Sequence, residues 1–320
     1  MTAWADILPM HIPAVQVLDR LLRCGWPGSA APDGLLGEAR LFLPQLVGPD
    51  RKSTALRAFI VAEMAADREG VLARLSFLRS ACRDVALYGD LILGDTEAFM
   101  AQSETFSLFN YDLARDLSEA AMEATRPWVA YVSNLTRTEA PFLVPLIALP
   151  NDAQVLEPGG NSGVFARALI EAWHPKRHVV IDLPAVSALG RQRGTAQGLS
   201  FVAADMRKGD WRSLAGFAPD VILFKSVLHD WPGAEAELLL AEAIRALAPE
   251  GQIVIAERTA FRGMTGGTAM DYANLVFAAF YRDPMVYQTM LKRLSPDLTV
   301  TVALTVIDTE WFVLTARRTA

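Results

Sequence analysis

Cysteine is scarce in this 320-residue sequence, and its two copies stand apart. Cys24 and Cys82 form no CxxC pair and have no Cys/His neighbours at metal-ligand spacing. The sequence therefore predicts neither a disulfide framework nor a zinc site. A chain of this length buries a sizeable core without such cross-links. We expect a protein without a metal centre, in a reducing, cytoplasmic setting.

Long hydrophobic runs are also missing. No segment approaches the ~20 consecutive apolar residues that cross a bilayer. The most apolar stretch, Pro141 to Pro150, is short and is bracketed by prolines. The opening MTAWADILPM lacks the basic region and the apolar stretch of a signal peptide. These absences predict a soluble protein with no membrane partner.

Positive charge is in deficit. The chain carries 30 basic and 36 acidic residues, for a net charge of −6. Residues 1–150 alone hold 13 bases against 18 acids. Because nucleic-acid binding relies on clustered lysine and arginine, we expect no nucleic-acid partner.

The apolar residues, which make up 52% of the chain, change their spacing near residue 150. Before it they recur mostly at helical spacing, as over residues 71–88 and 118–136. After it, short β-rich runs alternate with helices. We therefore predict a mainly helical domain over residues 1–150 and an α/β domain over residues 151–320.

The second half predicts a specific sheet. Five β-rich runs alternate with helical segments, at residues 153–157, 178–183, 199–205, 220–226 and 251–258. Such alternation is typical of a parallel, doubly wound sheet. Two further runs, 298–306 and 311–318, are joined by only four residues and must pair antiparallel. The predicted fold is a Rossmann-like, mostly parallel sheet that ends in an antiparallel hairpin.

Each of the five predicted parallel strands ends in an ionisable residue. In an open α/β sheet, ligands bind beyond the carboxyl ends of the strands. A single acid there can also be a solvated strand end or a helix cap, but five ionisable residues together favour a site. The strand-end residues are Glu157, Asp182, Asp205, Lys225 and Glu257.

The turn after the first strand, EPGGNSG (157–163), is rich in glycine. Glycine lets the backbone approach a ligand closely. The turn lacks the GxGxxG pattern of a phosphate-binding turn, and its leading acid would repel a pyrophosphate but favour a cationic amino-acid group. Asp182 suits the two hydroxyls of a ribose. Asp205 could accept from an adenine amino group, with Met206 either on the ring or in the core.

These motifs resemble the class I S-adenosylmethionine-dependent O-methyltransferases that act on small hydroxylated, often aromatic, natural products. The segment FKSVLHDWP (224–232) looks like the family's stretch with the catalytic histidine. EPGGNSG, IDLPAV (181–186) and AADM (203–206) look like its cofactor motifs, with Asn161 and Ala204 where glycines are usual. The likeness covers the second half and, more loosely, the helical first half.

The resemblance implies an assembly and a set of roles. It implies a homodimer, formed through an N-terminal helical domain of winged-helix character that also covers the substrate, and S-adenosylmethionine as the cofactor. His229 would be the general base; the alternative is that it only helps to open the following helix. Glu257, which ends the next strand, is its predicted carboxylate partner. The predicted cofactor-binding residues are Glu157, Gly159, Gly160, Asp182, Leu183, Asp205, Met206 and Lys225.

One departure from the family concerns the histidine. A second glutamate on a later loop often flanks it, but the corresponding stretch here, AAFYRDPMVY (278–287), has none. Asp283 is the nearest acid in that stretch. Asp230 is as suited to capping the next helix as to catalysis. Several aromatic residues could line a substrate pocket or belong to the core: Phe106, Phe109, Tyr111, Trp128, Phe277, Phe280 and Tyr281.

Three other functions remain compatible with the sequence. A nicotinamide-dependent oxidoreductase shares the strand-ending Asp182 but would require GxGxxG. A DNA-binding regulator that senses the cofactor would need a local basic face on an acidic domain. A member of the same family could also methylate carbon or nitrogen, or use the cofactor without methyl transfer. His229 favours an acceptor with an acidic O–H, so we predict O-methylation of a small hydroxylated molecule.

Overall fold

In the computed structural model, which describes residues 12–48, 51–194, 196–263 and 269–318, the first half of the chain is helical. Polar side chains begin several of its helices: Ser118, for example, accepts a hydrogen bond from the N–H of Ala121. Asp67 leaves helical geometry and accepts from the N–H of Gly70, which breaks the longest segment in two. The helices are α1 (Ile12–Arg23), α2 (Asp33–Phe42), α3 (Pro44–Val47), α4 (Arg51–Tyr88), α5 (Leu91–Gly94), α6 (Thr96–Gln102), α7 (Glu104–Ser107) and α8 (Glu119–Leu143).

The second half contains a seven-stranded sheet. Its order is β3-β2-β1-β4-β5-β7-β6, with β1 to β5 parallel and β7 antiparallel to both β5 and β6. The predicted α/β fold, with its closing hairpin, is therefore confirmed. The strands are β1 (Gln154–Pro158), β2 (Arg177–Asp182), β3 (Leu199–Ala203), β4 (Val221–Lys225), β5 (Gln252–Arg258), β6 (Leu298–Val306) and β7 (Glu310–Arg318).

Helices connect the strands in the right places for parallel crossovers. None of the helices within the described ranges is long and apolar enough to span a lipid bilayer. The helices of the second half are α9 (Val164–Trp173), α10 (Pro184–Gln192), α11 (Trp211–Ala215), α12 (Gly233–Ala246), α13 (Ala269–Val276) and α14 (Pro284–Leu294).

The chain forms two compact units that interleave along the sequence. The first contains the described residues up to Phe109, together with Ala130–Leu135 and Arg262–Ala279. The second contains Asn110–Val129, Thr136–Phe261 and the described residues from Phe280 onward. Residue 150 marks the change from helices to alternating strands and helices, but it does not separate the two units. Asn110–Val129, before residue 150, belongs to the second unit, and Arg262–Ala279, after it, belongs to the first.

The first unit is built around aromatic and aliphatic side chains. Phe77 stacks on Tyr131 with ring centroids 3.9 Å apart, and the ring centroid of Phe277 lies 6.1 Å from that of Phe77. Phe106 and Phe109 pack against the same partly buried ring of Phe277. These three phenylalanines, considered above as pocket or core residues, therefore contribute to this core.

The sheet of the second unit is buried on both faces at its centre. Every residue of β4 and of β5 is buried, as expected for inner parallel strands covered by helices. Trp211, Phe224 and Phe312 are among the largest fully enclosed side chains. Parallel pairing of these strands brings the carboxyl ends of β1 to β5 to one edge of the sheet.

A buried ionic network lies at one side of that edge. Glu139 of α8 accepts hydrogen bonds from Lys225 and from Arg258, the latter at 2.6 Å. Arg258 also reaches Asp308, at 2.9 Å, and its guanidinium lies 4.2 Å from the ring centroid of Trp311. Because all four ionic side chains are at most 5% exposed, each depends on its partners for charge compensation.

Glu139→Gln should therefore destabilise the fold. The variant keeps the shape of the side chain but removes the charge that Lys225 and Arg258 share, and loss of one partner of a buried pair costs about 3 kcal/mol. Urea denaturation followed by circular dichroism measures the change. In the matched control, Glu38→Gln, the exposed pair with Arg20 is lost, and the free energy of unfolding should change by less than about 1 kcal/mol. Equal effects of the two variants would contradict the assignment.

Candidate active site

The segment after β4 turns sharply and is held by one carboxylate. Ser226 adopts a left-handed backbone conformation, with φ of 53°, and its N–H donates to the carbonyl of Ala256. The N–H groups of Val227 and Leu228 then donate to Oε1 of Glu257, at 2.8 and 2.9 Å. A left-handed non-glycine residue is strained, and such strain clusters at functional sites.

His229 follows in a 3₁₀ turn, Leu228–Asp230, and pairs with the same carboxylate. Its Nδ1 lies 2.5 Å from Oε2 of Glu257, and both side chains are buried. Because an ionised carboxylate only accepts, Nδ1 carries the hydrogen and Nε2 is left as the basic nitrogen. The predicted partnership of His229 and Glu257 is thus present in the geometry. Nε2 lies 3.3 Å from Oδ1 of Asp230.

The charges around His229 tune its protonation. Burial lowers the pKa of His229, but the carboxylates of Glu257 and Asp230 raise it, and the net shift is upward from the ordinary value near 6.5. Burial raises the pKa of Glu257. His229 and the two backbone N–H donors lower it by a larger amount, so the net shift is downward. The pair therefore favours a charged carboxylate beside a ring that readily takes a proton.

The glycine turn after β1 packs directly against this segment. Gly159 has a φ of 72°, and its N–H donates to the carbonyl of Ile181 at 2.7 Å. A Cβ at Gly159 would lie 2.9 Å from Cγ2 of Val227 and 3.5 Å from Sδ of Met206. Only glycine combines this backbone conformation with this close approach. The turn therefore brings Gly159, Met206 and the segment of His229 together.

Asp182 closes the other side of the glycine turn. Its Oδ2 accepts from the N–H of Asn161 and its Oδ1 from the N–H of Leu183, both at 2.7 Å. Burial raises the pKa of Asp182 to about 7, and the negative charges of Glu157 and Asp230 add to the shift, although the two N–H donors oppose it. Asp182 is thus a carboxylate that titrates near neutrality.

Glu157 is buried at the end of β1 and faces β2. Its Oε2 lies 2.8 Å from Nε2 of His178, and both side chains are almost fully enclosed. A Cβ at Gly160 would lie 2.8 Å from Cδ of Glu157, so the glycine makes room for the acid. Glu157 therefore lies next to the glycine turn, but one of its oxygens is already engaged.

Asp205, at the end of β3, is paired with two arginines. Its Oδ2 lies 2.6 Å from Arg115, and Arg207 contacts both oxygens at 3.2 Å. Burial raises the pKa of Asp205, but Arg207 and Arg115 outweigh it and bring the pKa to about 2. The guanidinium of Arg207 also lies 4.6 Å from the ring centroid of Trp231. Asp205 is therefore ionised at neutral pH.

The structure brings most of the predicted residues together, but not all of them. Lys225, predicted to bind the cofactor, instead directs its amine to Glu139 and to Thr136 in the buried ionic network. The residues that gather around the ends of β1 to β3 are Glu157, Gly159, Gly160, Asp182, Leu183, Asp205 and Met206.

Two residues to which sequence reasoning assigned no role beside the histidine support the histidine turn. Arg282 donates to the carbonyls of Leu228 and Trp231, at 2.8 and 2.5 Å, and so clamps the 3₁₀ turn at both ends. The ring of Tyr281 lies edge-on to His229, with centroids 5.3 Å apart. Both residues belong to the stretch that lacks the family's glutamate, and neither stands in a motif that would have indicated such a role.

The sheet order, with five parallel strands and a closing antiparallel hairpin, defines a Rossmann-like α/β fold. The chain belongs to the O-methyltransferase domain family, whose model matches residues 130–296, just over half of the sequence.

Curated proteins named as O-methyltransferases match this chain over part of their length. The chain is 27% identical over 180 residues to the O-methyltransferase VdtC of Byssochlamys spectabilis, a match that covers 51% of this chain and 40% of that protein. It is 31% identical over 136 residues to the demethylspheroidene O-methyltransferase of Rhodobacter capsulatus, which covers 42% of this chain and 32% of the relative. The matches thus span less than half of these relatives.

Solved structures share the fold over a larger share of the chain. The mitomycin 7-O-methyltransferase MmcR superimposes with a TM-score of 0.69 at 16% identity, over 95% of this chain and 94% of that one. Human N-acetylserotonin methyltransferase, in complex with SAM, gives a TM-score of 0.55 at 17% identity, over 76% of this chain and 70% of that one. These likenesses establish the fold.

Glu257→Gln should lower the pKa of His229, because the charge that stabilises the protonated ring is removed. NMR of protein labelled with ¹³C and ¹⁵N in its histidines measures the pKa, and the spectrum of His229→Asn identifies the resonance among the four histidines of the chain. Glu237→Gln is the control, since Glu237 pairs with Arg293 at the surface. A His229 pKa unchanged in Glu257→Gln would contradict the electrostatic coupling.

Proposed function

We propose that the protein is an S-adenosylmethionine-dependent O-methyltransferase that acts on a hydroxyl of a small, aromatic secondary metabolite. The observation that carries the proposal is the buried Glu257–His229 pair, which leaves Nε2 as a base. The glycine turn at Gly159 packs against the same segment. Membership in the O-methyltransferase domain family supports the same activity.

The residues at the strand ends fit the proposed cofactor. Asp182 would accept hydrogen bonds from the ribose hydroxyls, and Met206 would lie against the adenine ring. The adenine amino group would donate a hydrogen bond to Asp205 in place of one of its arginine partners. S-adenosylmethionine supplies an electrophilic methyl group on a cationic sulfonium. The charges of Glu157 and Asp230 both act on Asp182, and the negative potential of such a group of acids favours a bound cation.

His229 would remove the proton of the acceptor hydroxyl. A phenol with a pKa of about 10 and a histidine near 6.5 differ by about 3.5 units, or about 4.8 kcal/mol for complete transfer before attack. Glu257 and Asp230 raise the pKa of His229, which reduces this difference. Transfer that is concerted with attack reduces the barrier further. Glu257 would stabilise the imidazolium that forms while it holds the ring in place.

Two further proposals concern the oligomeric state of the protein and its location. We propose a homodimer in the cytoplasm that takes a small hydroxylated substrate. Large apolar side chains on the first unit support a subunit contact there, since Leu41 and Leu93 are 76% and 73% exposed. Light scattering at micromolar concentration tests the dimer, and a monomer there would contradict it.

The activity is tested directly with the purified protein. Calorimetry measures the binding of S-adenosylmethionine and of NAD, and methyl-labelled S-adenosylmethionine is then supplied with a panel of phenols, hydroxyquinones and hydroxylated polyketides. We expect binding of S-adenosylmethionine and label in a product, whose structure by NMR identifies the methylated atom. Binding of NAD without binding of S-adenosylmethionine would favour an oxidoreductase.

His229→Ala should lower kcat for methyl transfer by about 10²- to 10⁴-fold, the usual contribution of a general base. The affinity for S-adenosylmethionine should stay nearly unchanged, because His229 lies on the acceptor side of the proposed site. Single-turnover kinetics and calorimetry measure the two quantities. The exposed His174, replaced by asparagine, is the control. Ordinary turnover by His229→Ala would reject the general-base role.

The affinity for S-adenosylmethionine should rise with pH around neutrality. Ribose hydroxyls donate to ionised Asp182, and since the pKa of this group is about 7, its ionised fraction grows about tenfold between pH 6 and pH 8. Asp182→Asn should bind more weakly and lose this part of the pH dependence. Calorimetry across this range, compared between the two proteins, isolates the carboxylate. Equal affinity and equal pH profiles would mean that Asp182 does not contact the ribose.

A further inference from the structure

Asp230 bridges His229 and a tyrosine that lies 119 positions earlier in the chain. Tyr111 donates its phenol hydrogen to Oδ2 of Asp230 at 3.0 Å, and the other carboxylate oxygen, Oδ1, lies 3.3 Å from Nε2 of His229. Burial and the nearby charge of Asp230 raise the pKa of Tyr111 well above its ordinary value of 10. The phenol therefore keeps its hydrogen and acts as a donor to the carboxylate.

Aromatic packing fixes the position of Tyr111. Its ring lies edge-on to Trp128, with centroids 5.5 Å apart, and tilted against Trp231 at 6.0 Å. Trp128 is 4% exposed and belongs to α8, while Trp231 directly follows Asp230. A phenol held between two indoles loses little further freedom when it binds Asp230. The contact is therefore a built feature and not a chance meeting of two exposed side chains.

Asp230 needs such an anchor. It follows His229 in a short 3₁₀ turn, and its side chain is 27% exposed, so rotation about χ1 could turn the carboxylate to solvent. The stretch 278–287, which carries a glutamate beside the histidine in the resembled family, places the ring of Tyr281 there instead. Asp230 is thus the acid that lies beside Nε2 in the described part of the site.

We propose that Tyr111 is a positioning residue that holds the carboxylate of Asp230 beside Nε2 of His229, so that Asp230 serves as the second carboxylate of the histidine. This inference deepens the proposed function and rests on it for the reaction. It does not depend on which hydroxylated acceptor is used.

The arrangement gives each ring nitrogen of His229 its own carboxylate. In the proposed step one proton would move from the acceptor hydroxyl to Nε2, and the oxygen would gain the methyl group as the bond between that methyl group and the sulfonium sulfur breaks. The sulfur would keep the electron pair and leave as the neutral thioether S-adenosylhomocysteine, while Asp230 would stay ionised. The resulting imidazolium would then donate through Nδ1 to Glu257 and face Asp230 through Nε2. The positive charge of Arg258 opposes protonation of the ring, while Arg282 binds backbone carbonyls in the same turn.

Tyr111→Phe tests the inference, because it keeps the ring between the two indoles and removes only the hydroxyl. Loss of the hydrogen bond raises the pKa of Asp230 and weakens its hold beside the histidine. We expect the pKa of His229, measured by NMR, to fall by about 0.5 unit. We also expect kcat to fall about three- to tenfold, with KM for S-adenosylmethionine unchanged. Tyr88→Phe, the same change at a tyrosine that ends α4 in the first unit, should change neither quantity.

A double-mutant cycle separates positioning of Asp230 from general packing. Asp230→Asn alone should lower the pKa of His229, and Tyr111→Phe added to it should have no further effect. Additive effects, or an unchanged His229 pKa in Tyr111→Phe, would overturn the inference. Because the NMR measurement needs no acceptor, a shifted pKa in a protein without methyl transfer would reject the proposed function alone. An unshifted pKa with full activity would reject the role of Tyr111 alone.

Discussion

The buried carboxylate of Glu257 is the interaction on which the site depends. It accepts from the N–H groups of Val227 and Leu228 and from Nδ1 of His229. Without it, two buried backbone donors would lack partners, which costs about 1–3 kcal/mol for each. The same three contacts turn the chain after β4 and select the tautomer of the ring. Local folding and the proposed proton transfer therefore rely on one side chain, which β5 supplies from the centre of the sheet.

The strand-end acids share a side-chain type and differ in environment. Glu257 is surrounded by donors, which lower its pKa, whereas burial raises the pKa of Asp182 to about 7. Two arginines bring the pKa of Asp205 to about 2. Placement at three strand ends along one edge of the sheet thus produces a permanent anion, a partner for a base and a group that titrates near neutrality. Because their environments give these acids different pKa values, residues of one type along one sheet edge can have different chemical roles.

The sequence predicts the fold well because the signals for it are local. Hydrophobic spacing marks the strands, and the four-residue linker dictates the hairpin. The pairing of His229 with Glu257 was predictable because β4 and β5 are neighbours with parallel register. The partner of Lys225 was not, since Glu139 lies in a helix 86 positions away and carries no motif. Tyr111 and Arg282 come from irregular segments, where no periodicity indicates which way a side chain points.

The close packing of Gly159 against Val227 bears on which parts of such a protein can vary in sequence. A Cβ at Gly159 would lie 2.9 and 3.0 Å from the two methyl groups of Val227, so the glycine turn and the segment of the histidine are closely packed. A methyl donor seated on one side and a base on the other would then be at a fixed spacing before any ligand arrives, the preorganisation that bond formation requires. The surfaces that would select an acceptor could then vary in sequence, because they would not set the distance between the methyl donor and the base.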